Sequence, residues 1–65
     1  MTRYSCRFLN DQGRIEDVEI INCETDSLAE ARAARLFTRR DFPSVELWQQ
    51  DRFVFRHEAA PADAG

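Results

Sequence analysis

The sequence lacks the residue patterns by which small domains hold metals, cofactors or reacting groups. It has two cysteines, Cys6 and Cys23, and one histidine, His57, and they form no CxxC or HxxxH spacing. It also lacks a Gly-rich phosphate loop and an RNP-type motif. No nucleophile stands in a pattern with a base, and a domain this small has little room for a closed pocket. We therefore expect no metal, no cofactor, no small-molecule ligand and no enzymatic activity.

Long apolar runs are missing as well. No stretch approaches the ~20 residues of a membrane span, and no apolar segment follows the N-terminus as in a signal peptide. We expect a cytoplasmic protein in which Cys6 and Cys23 are free thiols, mostly buried. If the first two strands pair around residues 10–13, Cys6 lies opposite a residue near Asp17. A simple cross-strand disulfide to Cys23 is therefore not predicted, and only a diagonal one is left open.

Chain length and charge limit the classes of function further. The 65 residues make one domain, and a chain this short buries only about 60% of its unfolded surface. With disulfides and metal set aside, self-association is the expected additional source of stability. The net charge of −3 argues against general nucleic-acid binding, although a local basic patch is compatible with it.

The N-terminal part of the chain predicts a β-hairpin. From Arg3 to Leu9 apolar and polar residues alternate, which is typical of a half-buried strand. Gly13 is placed for the left-handed residue that closes the loop at 10–13. The second strand covers residues 14–23.

The apolar pattern of this second strand changes phase. Ile15 has the parity of Ile21 and Cys23, whereas Val18 and Ile20 have the opposite parity. Either a bulge lies near residues 16–18 or the strand has two apolar faces, and we favour the bulge.

A helix is predicted from about Leu28 to Arg39 or Arg40. Ser27 and Glu30 have the spacing of a capping box. The helix ends before Asp41-Phe42-Pro43, because the residue before a proline avoids helical geometry. Phe42 is expected to close the end of the core.

On a helix with 100° of rotation per residue, the side chains of this segment form two stripes. Ala29, Ala33, Leu36 and Phe37 form an apolar face that packs on a sheet. Arg32, Arg35 and Arg39 form a second stripe on the opposite side of the helix.

The segment 45–57 predicts a second hairpin with a turn at Gln50-Asp51. In this register Trp48 lies opposite Phe53, Leu47 opposite Val54 and Glu46 opposite Phe55. Alternation then gives two apolar faces. One contains Val45, Leu47 and Val54, and the other contains Trp48, Phe53 and Phe55.

Together these elements predict a two-layer α+β fold of order ββαββ. One helix packs on a four-stranded antiparallel sheet with strand order 2-1-3-4, which needs a single crossover. The domain covers residues 1–57, and we expect residues 58–65, which contain nothing large to bury, to be a disordered tail.

Several of these residues carry a family resemblance. Tyr-x-x-x-Phe at Tyr4, a turn with Gly13, the alanine-rich helix and Val45-Glu46-Leu47-Trp48-Gln49 before Asp51-Arg52 resemble short alphaproteobacterial proteins of unknown function, common in the rhizobia. The resemblance covers roughly residues 4–56 and implies a small cytoplasmic α+β protein without a known activity. The family pattern has glycine where this chain has Gln50, which puts a type I′ turn in doubt and favours a looser loop.

The functional hypothesis follows from the two apolar sheet faces and the single helix. A helix covers one face, so Trp48, Phe53 and Phe55 are predicted to bury against a second copy of the chain or another protein. The alternative is that these aromatics form the core and the face with Val45 and Leu47 lies outside.

A second hypothesis uses the arginines. Arg32, Arg35 and Arg39 could bind a polyanion such as RNA or DNA, with aromatic side chains stacking on bases. The simpler interpretation is a solvated helix face. His57 is expected to be an ordinary surface histidine, because its neighbour Glu58 points to the other side of the strand.

Overall fold

The predicted α+β fold of order ββαββ is confirmed. The computed structural model describes residues 1–59. Its elements are β1 (Thr2–Leu9), β2 (Ile15–Cys23), α1 (Asp26–Arg39), β3 (Ser44–Gln49) and β4 (Arg52–Glu58). The strands form one antiparallel sheet in the predicted order β2-β1-β3-β4. The domain end predicted at His57 is one residue short of the end of β4, and residues 60–65 of the predicted tail lie outside the described residues.

The helix packs on the sheet face that contains Val45 and Leu47, which we call the inner face. The sheet contributes the buried side chains of Tyr4, Cys6, Phe8, Ile21, Cys23, Val45 and Leu47. From the helix, Ala29 and Ala33 are fully buried and Phe37 nearly so, which confirms the predicted apolar stripe. The two alanines allow a close approach of helix and sheet, and each large side chain buried there stabilises the fold by about 1.5–3 kcal/mol.

The N-terminus of α1 differs from the prediction. Thr25, not Ser27, is the N-cap: its backbone is extended and its Oγ1 accepts a hydrogen bond from the Leu28 amide at 3.2 Å. The helix therefore begins at Asp26, inside the segment assigned to the cap. It ends at Arg39 as predicted.

Asp26 explains the early start, because a long-range cluster holds it in place. Its carboxylate accepts a hydrogen bond from the Tyr4 hydroxyl at 2.6 Å and two from the Arg52 guanidinium at 2.9 and 3.1 Å. Arg52 also donates to Gln49 Oε1. The cluster thus ties the first turn of α1 to β1 and to the β3–β4 turn.

Arg40 and Phe42 close the other end of the core. The Phe42 ring lies 5.5 Å from that of Phe8, as expected of a residue that closes the core. The Arg40 guanidinium lies 4.7 Å from the Phe8 ring and forms ion pairs with Asp17 and Glu19 of β2. These contacts hold the chain where it leaves the helix for β3.

The bulge predicted in β2 is present. Phe8 pairs with Asp17 but Leu9 pairs with Ile15, so Glu16 is the extra residue. Because one extra residue shifts the alternation of the strand, Ile15 joins Val18 and Ile20 on the side of the sheet away from the helix. We call this side the outer face.

A second bulge, in β4, was not predicted. The register of Trp48 with Phe53 is confirmed, but Leu47 pairs with Phe55, so Val54 is the extra residue. The predicted pairs of Leu47 with Val54 and of Glu46 with Phe55 are therefore wrong. The shift turns Phe55 to the inner face, where it packs against the core.

The β3–β4 turn lies at Gln50-Asp51, as the hairpin register predicts. Gln49 pairs directly with Arg52, so Gln50 and Asp51 form a two-residue turn rather than a looser loop. Gln50 has a φ of +55° and is the one non-glycine residue with positive φ among residues 1–59. A type I′ turn needs positive φ at both central residues, so the doubt about that type was justified.

We predict that Gln50→Gly stabilises the protein. A non-glycine residue in the left-handed region destabilises the folded state by roughly 1 kcal/mol. Glycine removes this strain, but it also gives the unfolded chain more conformational freedom, which offsets part of the gain. Urea denaturation should show a gain of about 0.5 kcal/mol. The matched control is Gly13→Ala: Gly13 has a φ of +79° and open space around an added Cβ, so the backbone alone should make it destabilising. A loss of stability in Gln50→Gly would contradict this account.

A second prediction concerns pH. Hydrogen bonds from Arg52 and Tyr4 lower the pKa of Asp26 from its ordinary value of 3.8. The bond to Asp26, together with burial, raises the pKa of Tyr4 above its ordinary value of 10.0. A group whose pKa is lowered on folding stabilises the fold at pH values above its unfolded-state pKa. A group whose pKa is raised on folding stabilises the fold at pH values below its unfolded-state pKa. The cluster is therefore fully stabilising only between about pH 4 and pH 10.

Asp26→Asn should accordingly unfold at a lower temperature than the wild type at neutral pH. The difference should shrink as the pH falls below about 4, because the unfolded wild type then binds a proton at Asp26 while the lowered pKa keeps this carboxyl ionised in the folded protein. Asp11→Asn, at an exposed turn position, is the control and should follow the wild type throughout. A gap that stays constant with pH would show that the charge of Asp26 contributes nothing.

Candidate functional site

The outer face is the most distinctive surface of the described chain, because it is apolar and no described element packs on it. Its apolar residues are Leu9, Ile15, Val18, Ile20, Trp48 and Phe53. Leu9 is buried and Trp48 partly so. The other four have exposed fractions of 52% for Ile15, 47% for Val18, 51% for Ile20 and 49% for Phe53. Apolar side chains that cluster at such exposure usually mark an interaction site.

The strand registers align these residues on the outer face. Ile20 pairs with Ser5, Ser5 with Trp48 and Trp48 with Phe53, so one row crosses all four strands. The rings of Trp48 and Phe53 meet edge to face at 5.4 Å, an arrangement favourable for aromatic pairs. Val18 continues the patch along β2.

A charged row lies beside the apolar row and fixes the tryptophan. The Arg7 guanidinium lies 4.6 Å from the Trp48 ring, and Trp48 Nε1 donates to Glu46 at 3.0 Å. Arg56 is 3.8 Å from Glu46 and 2.9 Å from Glu58. Such exposed pairs add little stability, about 0–1 kcal/mol each. They do place both signs of charge next to the apolar patch.

The predicted interface is only partly assembled. Trp48 and Phe53 lie together on the outer face, but Phe55 lies on the inner face, so it does not belong to this surface. Ile15, Val18 and Ile20 complete the patch instead, and the interface prediction missed them. The signal was present in the sequence: the phase change in the second strand already placed Val18 and Ile20 apart from Ile21.

The predicted arginine stripe lies on the other side of the sheet. Arg32, Arg35 and Arg39 are exposed and share one flank of α1, about 110° around the helix from the alanine stripe rather than opposite it. This flank borders a groove of about 520 Å³ that runs between α1 and the end of β2. Among the ion pairs of residues 1–59, none involves these three arginines.

The single histidine and the two thiols are the remaining residues with reactive side chains. His57 is exposed and its ring meets that of Phe37 edge-on at 5.1 Å. Cys6 and Cys23 are free and buried, as predicted. Burial, with a smaller contribution from the charge of Glu19, raises the pKa of Cys6 to about 11. A thiol with so high a pKa is a poor nucleophile.

Two further observations concern residues 1–59. No three side chains of the metal-binding types come together there. The helix in this part of the chain is too short and too polar to cross a membrane.

Comparison with known proteins gives no family for this chain. No protein-family model matches it, and neither a curated protein nor a solved structure does. The resemblance to short alphaproteobacterial proteins therefore stays a prediction.

We predict that Cys6 is unreactive in the folded protein. Relative to an ordinary thiol of pKa 9.0, a pKa of about 11 reduces the thiolate at pH 8 about 100-fold. In the variant Cys23→Ser, Cys6 is the remaining thiol, and a colorimetric disulfide reagent should modify it at least that much more slowly than in denaturant. Comparable rates in the folded and denatured protein would contradict the burial of this thiol.

Proposed function

We propose that this chain is a non-enzymatic, cytoplasmic protein that forms a homodimer through the outer face of its sheet. The observation that carries the proposal is the row of Ile20, Ser5, Trp48 and Phe53 across all four strands, in which three of the four side chains are apolar and which no described element covers. A single-helix domain of this size gains stability when a second copy removes that surface from water.

The charges on the outer face support a second copy as the occupant. A twofold dimer places the same patch on both sides of the interface, so the patch must be complementary to itself. Arg56 lies beside Glu46 and Glu58, so the outer face carries positive and negative charges close together. In a twofold dimer, the arginine of one copy can therefore lie opposite a glutamate of the other. A face with charge of one sign would instead repel its own copy.

Trp48 and Phe53 are the expected anchors of the dimer. Tryptophan is among the residues that dominate interface energies. Arg7 and Glu46 hold the Trp48 ring in one orientation before association, which reduces the conformational entropy lost on binding. Ile15, Val18 and Ile20 on the edge strand extend the contact beyond the aromatic pair.

Binding of RNA or DNA is the alternative, and it has weaker support. The arginines of the stripe, Arg32, Arg35 and Arg39, are exposed and form no ion pair within residues 1–59. Non-specific single-strand binding also needs aromatic rings beside the positive charges, on which bases stack. Trp48 and Phe53 lie across the sheet from the stripe, so the two parts of such a site are separated.

Light scattering on a dilution series tests the homodimer. We expect the wild type to be dimeric at high concentration, and Ile20→Lys to weaken association at least about tenfold because it puts a charge into the apolar row. Ile20 is 51% exposed, so the monomer should tolerate this change. The matched control is Leu28→Lys, because Leu28 is 53% exposed but lies on the helix side of the sheet.

A wild type that stays monomeric up to millimolar concentration would falsify the proposal. Equal weakening by Leu28→Lys would place the contact elsewhere and also count against it. Far-ultraviolet circular dichroism of both variants shows whether the fold is kept, so that a monomer is not confused with an unfolded chain.

A further inference from the structure

The groove between α1 and β2 lies on the inner side of the sheet and plays no part in the proposed dimer. One wall is the helix flank, where Leu28, Ala31 and Leu36 present apolar surface beside Arg32, Arg35 and Arg39. Leu28 has an exposed fraction of 53%, which is high for an apolar helix residue. The groove therefore combines an apolar wall with a row of positive charge.

The other border of the groove is an unpaired edge of the sheet. β2 pairs with β1 on one side and is the outermost strand on the other. The bulge at Glu16 disturbs the start of β2, but Val18 to Cys23 pair with β1 in unbroken register. The backbone groups on the free side of that segment can pair with an added strand.

We propose that this groove binds an extended acidic peptide, which adds to β2 as a fifth strand and places its carboxylates against the arginines of α1. Side chains on one face of a strand recur about every 6.8 Å. Arg35 and Arg39 are separated by about 6 Å along the helix axis, and Arg32 to Arg39 span about 10.5 Å. Two acidic residues at alternate positions of the peptide thus match the spacing of Arg35 and Arg39, whereas Arg32 does not fall on this repeat.

The electrostatics of the groove favour this occupant over a second copy of the chain. Pairing of β2 with β2 of another copy would bring two sets of arginines towards each other, and like charges destabilise such contacts. The acidic groups of β2 nearest the helix, Asp17 and Glu19, are already paired with Arg40. Glu24 lines the groove near the end of β2, so the acidic positions of the peptide should lie towards Arg39.

The apolar wall also favours a peptide over a nucleic acid. Leu28, Ala31 and Leu36 suit aliphatic side chains, whereas bases need aromatic platforms, and none lines this groove within residues 1–59. The free backbone of β2 can pair with another peptide backbone but has no counterpart in a phosphodiester chain.

Fluorescence polarisation with a short labelled peptide of alternating glutamate and valine tests the proposal. We expect saturable binding at low ionic strength and about tenfold weaker binding by Arg35→Gln/Arg39→Gln, in which two of the proposed contacts are lost. Arg32 is kept because its charge also acts on Cys6 inside the core. The control Arg3→Gln/Arg14→Gln removes the same charge from exposed positions elsewhere and should bind like the wild type.

Two further ligands test the binding mode. The same peptide with N-methyl groups on alternate amides cannot add to a strand edge and should not bind, nor should one in which lysine replaces glutamate. Binding of the methylated peptide equal to that of the parent would overturn strand addition.

Absence of any binding, an equal loss in both double variants, or tighter binding of single-stranded oligothymidylate would overturn the proposal as a whole. Phe53→Lys also puts a charge on the outer face, but it lies on β4 at the other edge of the sheet, so it should weaken the dimer and still bind the peptide normally. This variant separates the present result from the test of the dimer.

Discussion

One helix can cover only one face of a four-stranded sheet, and this constraint shapes the whole molecule. The fully buried Val45 and Leu47 show which face α1 covers, and Ala29 and Ala33 allow it to lie close. Everything apolar on the other face is left without cover inside the chain. The half-exposed Ile20 and Phe53 are therefore a consequence of the architecture rather than an isolated surface feature.

The two bulges decide which side chains are left on that uncovered face. The extra residue Glu16 sends Ile15 outward, and the extra residue Val54 turns Phe55 inward. Without the second bulge the core would lose an aromatic side chain beside Leu47. The bulge in β4 thus adds an aromatic side chain to the core, and the bulge in β2 adds an apolar side chain to the outer face.

Local patterns in the sequence were sufficient for much of this fold. The spacing of Ala29, Ala33 and Phe37 determines the helix face, and the short turn after Trp48 determines its pairing with Phe53. Positions that depend on distant contacts were not predictable. Thr25 replaces Ser27 as the cap because Tyr4 and Arg52 hold Asp26 in the first turn. Phe55 changes face because the core next to Leu47 accepts its ring, which strand alternation alone does not indicate.

The bulge at Val54 also bears on how far this sheet can grow. Open-ended assembly through strand edges requires two regular edges, one on each side of the sheet, so that every added copy offers a new one. β4 is the outermost strand on its side, and its ladder is interrupted at Val54 after the pairs of Arg52 and Phe53. The longer regular edge is on β2, so repeated edge-to-edge addition of copies lacks a second regular edge. Fibre formation is thereby disfavoured in a small protein with much exposed apolar surface.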